Sequence, residues 1–531
     1  MKINILSKIK FGKLILLPVV LVALVIGSCS DKDIIELEPY NQVSETTAFT
    51  TPALIELSVM GMYQAAQRGD ASGNLRGYPF GAAFVQQGDC RGEDAINLAA
   101  FYRFTYEGTY DPTTANNVWY WSDTYRLINR CNIIVDGVAK AATAGTITPE
   151  VAKAYEGEAR LLRAAAYHEL LVMFARPYKH SAGATHLGVP YHDKPFTTPT
   201  AIEEGLTKGR ETVAFVYGKI LEDLNFAETN LPTKAGRTGN AKITRATKGA
   251  AIAYKVRIYQ HMWDMDKVIT EGLKLVAGGA LAAEYALGPE PWSCFASNYT
   301  NTEYIYGMEN SATNNPGVNA ALASQYKRRL LVCISPIVWR NSYWLTDDKR
   351  RQEPEMVFTS SGIKFTGKYK DDTNYTDASP MMRYAEVLLN LGEAYARNGN
   401  VSEGLKYLNI IRDRALADKA TQSYKATDFA DNKALLKAIL AERRIELNME
   451  GRRWPDVHRL QHCPHFPIAG IPAKLANANP AANLYTLGTE YSGQYGVVAK
   501  PYDDFKFVWP IPLIELNANT GPLKDQQNPG Y

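Results

Sequence analysis

The sequence predicts an all-α fold, in which helical pairs stack on one another and long irregular loops run between them. Three observations predict it. Apolar residues recur at three- and four-residue spacing over long stretches, as one buried helix face requires. A short polar turn, Asn398-Gly399-Asn400, divides two such stretches in the manner of an antiparallel pair. Between the helical stretches lie Gly-, Asn-, Pro-, Ser- and Thr-rich segments at 68–117, 178–210, 276–380 and 463–508. Loops of that length inside a compact domain are usually functional, because a rigid scaffold can hold them in place.

Each helix has its own signal. Ala159, Leu162, Ala166, Leu170 and Met173 line one face, and Arg176-Pro177 stops that helix. Val213, Ile220, Leu224 and Ala227 line the next, and residues 248–263, rich in Ala, Tyr and Ile, continue the series. From Met382 to Ala415, Leu388, Leu391 and Tyr395 share one face before the turn, and Leu405, Leu408 and Ile411 share one after it. Asn400 followed by Glu403 is a capping pair for the second of these helices. Leu391-Gly392 with Tyr395, inside a unit of about 34 residues, resembles a tetratricopeptide repeat, whose helix pairs bury their faces only by stacking. The last helical signal is the most charged. Leu436, Leu440 and Leu447 form a stripe beside Glu442, Arg443, Arg444 and Glu446, with Gly451 placed as a left-handed terminus. Carboxylates and guanidiniums at three- and four-residue spacing satisfy one another, so this block reads as a buried salt-bridge network.

The N-terminus reads as an address. Lys2, Lys8, Lys10 and Lys13 precede an apolar run from Leu14 to Ile26, shorter than the ~20 residues a spanning helix needs. Ile26-Gly27-Ser28-Cys29 has the small-residue pattern of a lipobox, which makes residues 1–28 a lipoprotein signal peptide and Cys29 the lipidated residue. Removing that peptide takes four of the 58 basic residues, so 54 face 55 acids and the mature chain carries a net charge of −1. Near-neutrality without a concentrated basic face argues against nucleic acid as a partner. Cys90, Cys131, Cys294, Cys333 and Cys463 remain, an odd number without a Cys-x-x-Cys pair, which suits neither a disulfide framework nor a zinc cluster.

Apparent catalytic motifs dissolve on inspection. Gly362-Ile363-Lys364-Phe365-Thr366-Gly367-Lys368 has phosphate-loop spacing, but Tyr369 stands where Ser or Thr must hold magnesium. His458, His462 and His465 with Cys463 have ligand-like spacing, yet Pro464 interrupts the helix and no metalloprotease motif accompanies them. No Gly-x-Ser-x-Gly elbow is present. Nothing in these motifs calls for a catalytic role, a cofactor or a metal.

Several segments carry a resemblance that reaches from about residue 34 to the last. Glu442-Arg443-Arg444-Ile445-Glu446-Leu447-Asn448-Met449-Glu450-Gly451-Arg452-Arg453-Trp454 resembles the E-R-x-x-E-L-x-x-E-G-x-R-W signature of the SusD/RagB family of outer-membrane nutrient-binding lipoproteins. Arg383-Tyr384-Ala385-Glu386-Val387-Leu388-Leu389 is similar to its R-Y-A-E-V-L-L segment, and Ile411-Arg412-Asp413-Arg414-Ala415 to its I-R-x-R-A. Gly157-Glu158-Ala159 with Arg163-Ala164 matches the G-E-A-x-x-x-R-A helix, and Trp121, Tyr125, Ile128 and Asn132 the spaced W…Y…I…N pattern. Trp509-Pro510-Ile511-Pro512, Glu515, Asn517 and Gln527-Asn528-Pro529-Gly530-Tyr531 are similar to the family's ending. Pro455 and Val457-His458 depart from it, where the family more often has an aromatic and then Asp-Leu.

The resemblance implies a tetratricopeptide-like core over residues 29–531, with an N-terminal part to 245 and a C-terminal part from 246 that carries the insertions. It also implies surface capture of an oligo- or polysaccharide, handed to a TonB-dependent β-barrel transporter of the SusC type. A peptide ligand, as in the RagB branch, is the alternative; a protein-interaction scaffold and a surface glycosidase are more distant rivals. Sugar rings stack on Trp and Tyr, and their hydroxyls pair with Asp, Asn and Arg, so the 32 tyrosines suit such a surface. Three loop clusters fit. The first is Asp89, Arg91, Glu93, Asp94 and Asn97 with Tyr102; the second is Trp292, Tyr299, Tyr304 and Tyr306; the third is Trp339, Asn341, Tyr343 and Trp344. The resemblance favours the first and third. Trp119, Trp121 and Tyr125 fall on the W…Y…I…N helix and are expected in the core.

Overall fold

The computed structural model describes residues 47–69, 76–296 and 299–531. The signal peptide, Cys29 and the start of the family resemblance lie outside them. The fold is mainly helical, of the tetratricopeptide-like kind. Its principal helices are α1 (Pro52–Arg68), α2 (Ala82–Arg91), α3 (Ala115–Thr143), α4 (Pro149–Phe174), α5 (Val213–Asn230), α6 (Lys248–Met262) and α7 (Met265–Gly272). They continue as α8 (Tyr384–Arg397), α9 (Val401–Ala415), α10 (Asn432–Glu446) and α11 (Arg453–Arg459). Successive helices pack as neighbours: α3 on α4, α4 on α5, α5 on α6, α7 on α8, and α8 on both α9 and α10.

Starts are set by short polar side chains that accept a free backbone N–H of the first turn. Thr148 accepts from Val151 N at 3.4 Å, Thr212 from Phe215 N at 3.1 Å, and Thr247 from Ala250 N at 3.2 Å. Asn400 accepts from Glu403 N at 3.1 Å, the pair the sequence indicates, and Asp431 from Ala434 N at 2.8 Å. Gly451 is left-handed, with φ +73°, but α10 ends five residues earlier at Glu446. Its backbone has another use. A Cβ there would lie 2.8 Å from Val85 Cα, and one on Gly88 would lie 2.1 Å from Gly451 O, so two main chains touch where α2 meets the turn before α11.

The long segments hold more structure than the sequence suggests. Segment 68–117 contains α2, every residue of which is buried. Among the described residues six short strands appear: β1 (Ala95–Asn97), β2 (Tyr304–Met308), β3 (Val332–Ile334), β4 (Val357–Ser360), β5 (Ile363–Thr366) and β6 (Ser379–Arg383). They pair antiparallel as β1–β3, β2–β6 and the hairpin β4–β5. At three to five residues each, they are too short for alternation to announce them.

One core cluster includes residues from Ile55 to Leu523. Trp121, Trp454 and Trp509 are buried at its centre, where the Trp509 ring meets Tyr120 and Phe174 edge-on, each at 5.5 Å. Trp509 N donates to Met173 O at 2.9 Å, and Asn528 Nδ2 to Phe174 O at 2.8 Å, so the last residues seal the end of α4. The charged block of α10 is an interior network. Arg350 binds Asp348 at 2.7 Å and Glu442 at 2.5 Å; Arg414 binds Glu303 at 2.6 Å and Glu446 at 2.8 Å. Arg383 joins Glu303, Glu446 and Glu450. Lys368, the end of the phosphate-loop-like string, belongs here too, with Nζ 2.6 Å from Glu450.

Candidate functional site

Asp89, Arg91 and Asp94 of the first expected cluster are buried and engaged with partners inside the protein. Asp89 accepts from Tyr326 Oη at 2.6 Å and from Gly451 N at 2.9 Å. Burial pushes its carboxyl up to about 7 in spite of these bonds. Arg91 lies 3.7 Å above the Trp454 ring and donates to Phe507 O at 2.7 Å. Asp94 holds Arg444 through both carboxylate oxygens, and Glu93 holds Arg453 at 2.5 Å. Burial alone would raise Glu93, but Arg453 and Arg444 outweigh it and keep it at about 2. Asn97 Nδ2 donates to Ala99 O and Asn477 Oδ1, both at 2.6 Å. These groups pin the N-terminal half to the C-terminal half.

The third cluster turns inward in part. Trp339 and Trp344 are buried and meet edge-to-face at 5.3 Å, with the Arg351 guanidinium 4.4 and 4.2 Å from their ring centres, and Trp339 Nε1 donates to Tyr485 O at 3.0 Å. Asn341 Oδ1 caps its own turn, accepting from Tyr343 N at 2.9 Å, and Tyr343 is half-buried against the core. In the second cluster, Tyr304 and Tyr306 are fully buried on β2. Tyr299 Oη is 3.1 Å from Thr376 O and accepts from Asn310 N at 2.8 Å, while Trp292 packs half-buried against the core. Of the histidines near 460, His458 Nε2 lies 2.9 Å from Ala175 O and His462 meets the Tyr502 ring edge-on at 5.0 Å. Among the described residues no group of three His, Cys, Asp or Glu side chains could hold a metal ion.

Tyr102 leads to a different site. It lines a cavity of about 420 Å³ together with Arg76, Tyr78, Phe101, Phe104, Asn116, Trp119 and Asn319. Phe101 and Tyr102 lie 4.7 Å apart at a tilt of 55°, and Phe104 stands 51% exposed at the rim. Trp119 is half-buried in the first turns of α3, with the Arg76 guanidinium 4.9 Å above its ring. Asn116 Nδ2 donates to Phe101 O and ties the aromatic segment to the helix. Asp111, also in the lining, accepts from Thr113 N and Oγ1, both at 2.7 Å, and these bonds hold its carboxyl below the usual range. The cavity offers flat apolar faces flanked by a guanidinium, a carboxylate and two amides. That set suits a ligand with apolar faces and hydroxyl edges.

Trp119 is half-buried and packs against the core, as expected, and it also lines the cavity. Trp121, Tyr125, Ile128 and Asn132 repeat at i, i+4, i+7 and i+11; Trp121 is buried and Tyr125 half-buried against the core. Trp119 stands two residues off that stripe, about 200° round the helix, and so faces elsewhere. That offset is a signal in the sequence.

Comparison with known proteins agrees with this architecture. Residues 338–531 match the family model described as the SusD family, and residues 33–260 match one described as starch-binding and associating with the outer membrane. SusD-like protein P2 of Formosa agariphila is 23% identical over 466 residues, 78% of this chain and 80% of that protein. A SusD superfamily protein from Bacteroides fragilis superposes with a TM-score of 0.72 at 26% identity, over 89% of this chain and 98% of that one. A SusD-like carbohydrate-binding protein from Bacteroides vulgatus superposes with a TM-score of 0.69 at 19% identity, over 90% and 98%. No described helix is long and apolar enough to cross a membrane.

Proposed function

The chain belongs to the SusD family, and from that premise we propose that it binds an oligo- or polysaccharide at the cell surface and delivers it to a TonB-dependent outer-membrane transporter. The observation that carries this reading is the cavity in which Trp119, Phe101, Tyr102 and Phe104 meet Arg76 and Asn116. Sugar rings lie against the aromatic faces, and hydroxyls exchange hydrogen bonds with the polar rim. Binding is reversible and no glycan bond is broken. Cys29 carries the lipid that holds the protein to the outer membrane, and the ligand face is turned outward.

Calorimetry on the soluble chain from residue 30, with a polysaccharide series and a peptide pool, tests the reading. Saturable binding of a glycan that is recovered uncleaved, weakened at least tenfold by Trp119→Ala, is the expected result. Binding only to peptides would overturn it in favour of a peptide-importing role. Delivery has its own test: deleting the transporter should abolish uptake while the isolated protein still binds.

A further inference from the structure

Away from Trp119, α3 walls a second and smaller cavity of about 190 Å³. Tyr125, Ile128, Asn129 and Asn132 line it at i, i+3, i+4 and i+7, one face of the helix. The short helix Pro199–Leu206 closes one side with Ile202 and Leu206, and the helix Leu513–Ala518 brings Glu515. Tyr125 lies about 120° round α3 from Trp119, so the two cavities open from different faces.

The neutral polar groups of this lining are already engaged. Tyr125 Oη donates to Pro190 O at 2.8 Å, and Asn129 Oδ1 accepts from Phe196 N at 2.7 Å. Asn132 Nδ2 donates to His192 O at 3.1 Å, and its Oδ1 accepts from Arg163 at 2.7 Å. Asn519 Nδ2 donates to Lys208 O at 3.0 Å, and its Oδ1 accepts from Gly521 N at 2.9 Å. These bonds hold three half-buried rings in series: Tyr125 meets His192 edge-on at 5.7 Å, and His192 meets Phe196 at 4.9 Å.

Glu515 is the exception. Elsewhere Glu386, Glu393 and Glu446 each have an arginine within 2.8 Å. Among the described residues no base pairs with Glu515; burial raises its carboxyl, and only the neutral Trp121 indole opposes that. His192 does not supply the missing charge. Burial and the nearby Lys208 push it down to about 4, so it is neutral at pH 7. Lys208 itself is exposed at the mouth, where water and salt screen it.

An unanswered carboxylate beside aromatic rings suits an organic cation, since ring faces attract the charge and the carboxylate balances it. We propose that this pocket binds a small organic ammonium ion, its nitrogen on Glu515 and its apolar body against Tyr125, His192 and Phe196. The volume falls below the ~300 Å³ at which drug-sized sites begin, which limits that body to about one ring. This site is separate from the glycan cavity and does not depend on glycan capture.

The test is calorimetry on the chain from residue 30 with benzylamine, its neutral analogue benzyl alcohol, and Nα-acetyl-lysine amide. An amine should bind saturably and at least tenfold more tightly than benzyl alcohol. Glu515→Gln should erase that preference without lowering the melting temperature, because it removes a charge that no base answers. Glu203→Gln, which removes an exposed acid from the helix Pro199–Leu206, should keep it. Tighter binding of benzylamine would support a free aromatic amine as the ligand, and tighter binding of the lysine probe a peptide side chain. Equal binding of benzyl alcohol, or no saturation by either amine below about 10 mM, would overturn the assignment. A preference that survives Glu515→Gln, or falls equally in Glu203→Gln, would overturn it too. Weaker polysaccharide binding by Glu515→Gln would overturn the separateness of the two sites.

Discussion

Replacing Glu446 by glutamine tests whether the interior charges are balanced as a unit. Glu446 is 2% exposed and accepts from Arg414 at 2.8 Å, Arg350 at 3.1 Å and Arg383 at 3.2 Å. Those bases also contact Glu303, Asp348, Glu442 and Glu450, and Arg412 and Lys368 complete the set. The cluster is therefore neutral, and the variant leaves one buried guanidinium without a counter-charge. Removing one partner of a buried ion pair costs about 3–5 kcal/mol. For a chain of roughly 500 residues the unfolding entropy is about 1 kcal/mol/K, so the melting temperature should fall by about 3–5 °C. Scanning calorimetry at pH 7.5 reads this directly. The pH dependence has a definite sign. Burial would raise the Glu446 carboxyl, but Arg414, Arg383 and Arg350 outweigh it and hold it well below the usual range. Its contribution is present above the unfolded value near ~4.3 and is lost as pH falls toward the folded one. The gap between parent and variant should thus be constant from pH 7.5 to 5.5 and narrow below about pH 4. A fall of less than 1 °C, or a gap that does not narrow in acid, would refute the idea of a balanced unit.

Three further outcomes are expected. Asp89 is pushed up to about 7, so the stability it contributes is full below the unfolded value near ~3.9 and lost as pH rises through about 7. Asp89→Asn should therefore cost more at pH 5 than at pH 8 in parallel thermal melts, and parallel profiles would contradict this. Gly451→Ala forces a side chain into a left-handed residue against Val85, at a strain of about 1–3 kcal/mol. Denaturant unfolding should show that loss at an unchanged slope. Trp119→Ala should reduce glycan affinity at least tenfold while moving the melting temperature by less than about 2 °C, because its ring is only half-buried.

The helices were legible because their signals are local. A threonine, asparagine or aspartate three residues ahead of the N–H it caps, and apolar residues at helical spacing, sit within one short window of sequence. The family motifs were legible for the same reason. The candidate site was only partly so. Asp94 looks like a loop carboxylate until Arg444 arrives from 350 positions away, and Trp339 looks like a stacking platform until Tyr485 and Arg351 close over it. Polar and aromatic residues in an irregular segment are ambiguous between binding and packing, and only distant partners decide. Tyr102 fell in both classes, buried yet lining the cavity. Trp119 shares that ambiguity, its half-buried ring packing on the core and also lining the cavity.

The seal that Trp509 and Asn528 place on the end of α4 sets a timetable. Phe174 leaves the ribosome 335 positions ahead of Trp509, an interval on the order of half a minute at ~5–20 residues per second. Through that interval α4 ends in an uncovered apolar mouth beside Phe174 and Tyr120, and Arg91 lacks the tryptophans that flank it. Native closure must therefore follow synthesis of the final segment. A chain built this way travels as an incomplete body, and its first helices become a finished surface only when its last ones arrive.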